Sequence, residues 1–195
     1  MLNERRIFVN PTLIGVKGCW IDNIRLLYLR EHIDSYSITQ DFNNSTVVLD
    51  KYASILIHEI EHSLQDEQME QFYREQGAYF LESSFFCLRA RQILESLNIN
   101  SDLTQWGRVN DMINRATVTI NSFVEAMNIE NNIQYWEDII LPILDDLNAI
   151  WESIDQWIRN YPIWIAKDNA GKKLEFGIFL NNLNKILENV LESLK

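Results

Sequence analysis

The sequence predicts a mainly α protein of the α+β class: a small first portion that includes a β-hairpin, followed by a bundle of long amphipathic helices. Three observations lead there. After residue 50 apolar residues recur at helical spacing along almost the whole chain. With 6 Gly and 3 Pro in 195 residues, few positions interrupt a helix. The short β-prone runs separated by polar residues all lie in the first third. At 47% hydrophobic and 11% aromatic residues the chain has the apolar content for a buried core. Its length suits one compact unit, or one with a helical extension.

Taken in order, residues 5–9 read as a short strand, and Pro11 and Gly15 to Gly18 as loop. Ile21, Ile24, Leu27 and Tyr28 are spaced as in a helix over 20–33. Residues 36–39 and 46–49 are two β-prone runs flanking the polar stretch QDFNNS, which predicts a hairpin with a longer loop. Asp50 is a suitable N-cap for a helix over about 51–67. Ala53, Ile57, Ile60 and Leu64 would face a core there, with Ser54, His58, His62 and Gln65 on a different stripe.

A second helix over about 69–97 places Phe72, Tyr79, Phe86, Ala90, Ile93 and Leu97 on one face. Three more amphipathic helices follow. Their stripes run from Trp106 through Ile113, Ala116 and Ile120 to Met127, from Ile133 through Ile143, Leu147 and Ile150 to Trp157, and from Phe176 through Leu183 to Leu194. Pro142 should kink the middle one. Asn160-Tyr161-Pro162 and Asp168-Asn169-Ala170-Gly171 read as turns. The predicted organisation is a core over 1–98 and a helical-bundle extension over 99–195 packed on it.

Chemistry concentrates in His58-Glu59-x-x-His62, which holds two of the chain's three histidines. Residues four apart stand one turn above each other on a helix, so both imidazoles can converge on one cation with Glu59 beside them. A zinc ion held this way keeps a position for water, lowers that water's pKa to about 7 and polarises a carbonyl. Glu59 would be the general base. Glu75 and Glu82 fall on the apolar stripe of the next helix, where a carboxylate is costly unless paired or bound to a cation. Glu75 follows His62 by thirteen residues, within reach of a tight return, and Glu82 is the alternative third ligand. Ordinary readings compete: a solvated His/Glu helix face, and salt bridges from the glutamates to Arg74, Arg89 or Arg91.

The formal charge of -11 with no basic run argues against nucleic acid and anionic membranes as partners. No run of about eighteen apolar residues offers a membrane span. The first twenty residues are broken by Asn10, Pro11, Lys17 and Gly18 and do not form a signal-type apolar stretch. Cys19 and Cys87 make no CxxC pair and read as small buried residues rather than a disulfide framework. A cytoplasmic location is the expectation. Trp106, Trp136, Trp151, Trp157 and Trp164 should be mostly core, with one or two lining a groove for a substrate side chain or a partner protein.

On His58, Glu59, His62 and the segment EQGAYFLE from Glu75 to Glu82, the chain resembles the zincin metallopeptidases, in particular their small gluzincin-like members. The resemblance covers roughly residues 20 to 90. It implies a minimal zincin core with the hairpin next to the motif helix, Zn2+ as cofactor, and His58, His62 and Glu75 as its ligands. It also implies Glu59 as catalytic base, Ala78 as the small residue allowing close helix approach, and a peptide or protein substrate held by β-addition to strand 46–49. The chain departs from the family in having Tyr79 where an aspartate commonly steadies a ligand histidine, and it has no downstream histidine of the metzincin type.

Two other functions stay open: a non-catalytic helical interaction protein built on a degenerate zincin, and a di-iron carboxylate/histidine protein, which would need a second Glu-x-x-His. His32, Tyr73 and Tyr79 are candidates to donate to a developing oxyanion.

Overall fold

The computed structural model describes residues 6–9, 18–21, 26–29, 45–66 and 68–195. Three four-residue strands come first: β1 (Arg6–Val9), β2 (Gly18–Ile21) and β3 (Leu26–Leu29). They form a sheet in the order β1-β3-β2, with β1 parallel to β3 and β2 antiparallel to it. The helix expected over 20–33 is therefore not found. Cys-Trp-Ile and Leu-Leu-Tyr-Leu are short apolar runs, and periodicity alone does not separate a strand from a helix over so few residues.

The remaining regular elements among the described residues are all helical. Helix α1 (Ser45–Leu64) is followed by α2 (Gln71–Ser96) and α3 (Leu103–Met127). A 3-10 turn (Ile129–Asn131), one α-helical turn (Ile133–Tyr135) and a π-helical segment (Trp136–Ile140) lead into α4 (Leu141–Ile165), and α5 (Asn169–Ser193) closes the order.

This arrangement overturns the expected zincin core with its β-hairpin. Residues 46–49, taken as the hairpin's second strand, are the first turn of α1, and the other strand, 36–39, lies outside the described residues. The β-branched run Thr46, Val47, Val48 costs at most about 0.7 kcal/mol per residue in a helix, and with no Gly or Pro to stop it the helix extends back to Ser45. Asp50, expected as a cap, is inside α1 and buried. The expected apolar face is also displaced: Ile60 and Leu64 are 39% and 64% exposed, whereas Asp50, Ser54, Ile55 and Glu59 are buried. α1 hides a largely polar face.

The chain divides into two compact units, 1–82 and 83–195, with the boundary inside α2. In the first unit β2 packs against α1. In the second, α4 packs against both α3 and α5. Ile113, Ala116, Ile120 and Phe123 of α3, Ile143, Leu147, Ile150 and Ile154 of α4, and Leu183, Leu187 and Val190 of α5 are all buried. Their spacing of three and four residues is what antiparallel helix packing requires. The Ser83 hydroxyl, on the part of α2 that belongs to this unit, donates to the Ala116 carbonyl at 3.3 Å.

Side chains mark where these helices begin. Asp102 accepts from the Gln105 backbone N–H at 3.1 Å and Gln105 Oε1 accepts from the Asp102 N–H at 3.3 Å, a reciprocal capping box for α3. Asp168 accepts from the Gly171 N–H at 2.7 Å and caps α5, so the expected turn over 168–171 is the entry to that helix. The turn expected at Asn160-Tyr161-Pro162 does not form. α4 runs through Pro162 to Ile165, ending within one turn of the proline. Pro142 comes two residues after the π-helical segment Trp136–Ile140, so the helix geometry changes just before the proline where a kink was expected. No helix among the described residues is long and apolar enough to cross a membrane.

Candidate metal centre

α1 and α2 run antiparallel past each other over the motif, since His62 meets Glu75 and the earlier His58 meets the later Glu82. Both helices supply the site from within the first unit. His58 and His62 stand one turn apart with ring centroids at 4.9 Å and planes at 80°. One nitrogen of each ring and one oxygen of Glu75 all lie within 4.8 Å of one another. In a tetrahedral site with bonds near 2.0 Å neighbouring ligand atoms are roughly 3.3 Å apart, so the cluster closes on a cation with side-chain movements of about 1 Å. The His62 Nε2 to Glu75 Oε2 separation is already 3.6 Å. Two imidazoles and a carboxylate form a donor set suited to a first-row divalent ion, and these three residues can hold one.

Glu82 has a different place. Its Oε2 lies 3.2 Å from His58 Nδ1, off the axis of a well-aligned hydrogen bond, and it is not part of the three-residue cluster. His62 has its own neighbour: its Nδ1 is 3.2 Å from Gln65 Oε1. Both rings therefore have an oxygen close to Nδ1, the arrangement by which a ligand histidine is oriented. Gln65 was legible as a member of the histidine stripe, three residues after His62, but nothing in the sequence spacing assigned it this contact.

Tyr79 stands edge-on to His58, with ring centroids 4.6 Å apart. Burial, reinforced by the charges of Glu75, Glu82 and Glu59, pushes its phenol pKa up and keeps it a neutral donor. Glu59 is buried, 7% exposed, and its charge acts on both His62 and Tyr79. Burial works against a charged His62, yet the nearby Glu75 carboxylate, with Gln65 and Glu59, outweighs it and raises the imidazole pKa. The His62 imidazole in turn lowers the Glu75 pKa against the opposing effect of burial. His62 and Glu75 thus each favour the charged form of the other.

Other candidates fall elsewhere. Tyr73 is 57% exposed, and His32 lies outside the described residues. Cys87 is free and buried, which pushes its thiol pKa up to about 12. Trp106 is fully buried, while Trp157 and Trp164 line a cleft of about 340 Å³ in the second unit together with Ile163, Lys167 and Phe179. Trp157 stacks on Phe179 at 4.3 Å.

What fold and site define is a mainly helical protein with a His-His-Glu cluster able to bind a metal. Compared with known proteins, the chain matches no family model, no curated protein and no solved structure.

Proposed function

We propose that the chain is a zinc-dependent metallopeptidase in which His58, His62 and Glu75 hold the ion and Glu59 is the general base. The observation that carries this reading is the convergence of the two motif histidines and a carboxylate of the next helix to within 4.8 Å. The motif's likeness to the zincins adds support, but the surrounding fold does not, because residues 46–49, expected as a strand of the zincin hairpin, are helical. With residues 46–49 helical, no strand edge there receives a peptide, and the β-addition expected at that segment is withdrawn.

When bound, zinc would acidify a water to a pKa near 7 and polarise the scissile carbonyl. The remaining work belongs to side chains. Glu59 takes the proton of the attacking water and returns it to the leaving nitrogen, a task suited to a carboxylate held away from solvent. Gln65 holds the His62 imidazole from behind, and the Glu82 carboxylate lies close behind that of His58. Tyr79, kept neutral and with its ring 4.6 Å from that of His58, is the candidate to donate to the oxyanion that forms from the carbonyl.

Metal analysis of the purified chain, followed by peptide hydrolysis by the parent and by Glu59→Gln, tests the proposal. One zinc per chain, with cleavage that disappears in Glu59→Gln while the zinc stays, is the expected result. Equal cleavage by both chains removes Glu59 as base. Two irons per chain would point to carboxylate/histidine oxidation chemistry, and no metal at all to a helical interaction protein.

A further inference from the structure

We infer that Gln65 is a positioning residue that sets the tautomer of His62 from the backbone of α2, and that Gly77 is a glycine because it leaves room for that contact. The inference rests on the metal-site reading above and concerns how the second imidazole is presented to the ion.

The argument begins at a backbone carbonyl. Gln65 Nε2 donates to the Arg74 carbonyl at 2.9 Å and, more weakly, to Glu61 Oε1 at 3.4 Å. Both of those oxygens accept, so the NH2 end of the amide must face them. The orientation of a glutamine amide is otherwise ambiguous, and here two acceptors on one side resolve it. Oε1 is then the end that faces His62 Nδ1, at 3.2 Å. An amide oxygen only accepts, so this contact calls for a proton on Nδ1. Nε2 faces an acceptor as well, Glu75 Oε2, but at 3.6 Å, beyond hydrogen-bond reach, so the single proton of the neutral ring is held on Nδ1 and Nε2 keeps the free lone pair. Arg74 and Glu75 are neighbours on α2, so one turn of that helix both fixes the tautomer and supplies the third ligand.

Gly77 completes the device. A Cβ built there would lie 2.8 Å from Gln65 Nε2 and 3.5 Å from Glu61 Oε1. The clash is with the mobile end of a side chain, so an alanine would displace the amide rather than break the helix. Alanine is also the better helix former. Gly77→Ala should thus leave the fold intact, or slightly firmer, while loosening His62, a combination that a purely structural glycine would not produce.

Two measurements test the latch. Long-range 1H–15N correlation spectra of the metal-free chain at mildly alkaline pH read the tautomer directly. The parent should show His62 protonated at Nδ1, with that preference lost in Gln65→Ala and in Gly77→Ala. Zinc affinity, measured by competition with a chromophoric chelator, should fall about 10- to 100-fold in each variant. Gly77→Ala added to Gln65→Ala should cost nothing further, since the atom it displaces is gone. A parent His62 protonated at Nε2, or a tautomer and affinity indifferent to both substitutions, overturns the inference. Zinc uptake with an indifferent tautomer would sink the latch and keep the metal site. The expected tautomers in a chain that takes up no zinc would sink the metal site and keep the latch.

Discussion

Glu82 Oε2 lies 3.2 Å from His58 Nδ1, so α2 brings one carboxylate to the back of the first imidazole and, two turns earlier, another carboxylate to the front of the second. The spacing explains the division of labour. Glu75 and Glu82 are seven residues apart, about 10 Å along a helix, too far for both to meet one ion. Glu82→Ala should reduce zinc affinity about 10- to 100-fold while leaving one zinc per chain at saturation. Glu75→Ala should reduce it further. Isothermal titration of the two variants decides, and the opposite ranking would exchange their roles.

Metal retention should depend on pH in a direction set by His62. Its pKa lies above the ordinary 6.5, so a proton competes with the cation from higher pH than at an isolated histidine. Zinc affinity measured across about pH 5 to 8 should begin to fall above 6.5 as the solution is acidified.

In the metal-free chain the same pair carries its own linkage. The raised His62 pKa gives stability fully present below 6.5 and lost as pH rises through the folded value. The lowered Glu75 pKa gives stability present above 4.5 and lost as pH falls through the folded value. The contribution of the pair is greatest between those two ordinary values. Urea denaturation of the parent and of Glu75→Gln, compared at several pH values, should show the largest gap in that interval.

Packing of the second unit has a simpler test. Leu147 of α4 is completely buried in a helix that packs on both α3 and α5. Leu147→Ala should destabilise that unit by about 2–5 kcal/mol. Removing the α3 cap with Asp102→Ala should cost only about 1 kcal/mol. Equilibrium denaturation read by tryptophan fluorescence, weighted to this unit by Trp106, Trp157 and Trp164, compares the two.

Cys87, buried and with a thiol pKa near 12, should resist alkylation in the native chain and react on denaturation. Peptide mapping after iodoacetamide treatment at neutral pH checks it.

Parts of this architecture could be read from residue order because the physics involved is local. His58 and His62 share a face by helical period alone, and a short return was enough to bring Glu75 toward them. The stripes of α3, α4 and α5 were visible because each repeats over several turns, which only a helix accommodates. Residues 46–49 were misread because β-branched side chains resist a helix by less than tertiary context supplies. The strands at Gly18–Ile21 and Leu26–Leu29 were misread because four apolar residues carry no period. Glu82 came beside His58, and Gln65 to the Arg74 carbonyl, through contacts between helices, which no spacing along one helix encodes.

The buried polar face of α1, with Asp50, Ser54 and Glu59 where aliphatic residues would ordinarily sit, makes this helix a tempting target for thermostabilising redesign. Filling those positions with leucine would remove the interactions that each of them makes, and at Glu59 the carboxylate proposed above as the base. In this segment a swap that would suit an ordinary apolar core is expected to weaken the chain, and gains in heat resistance must be sought on other helices.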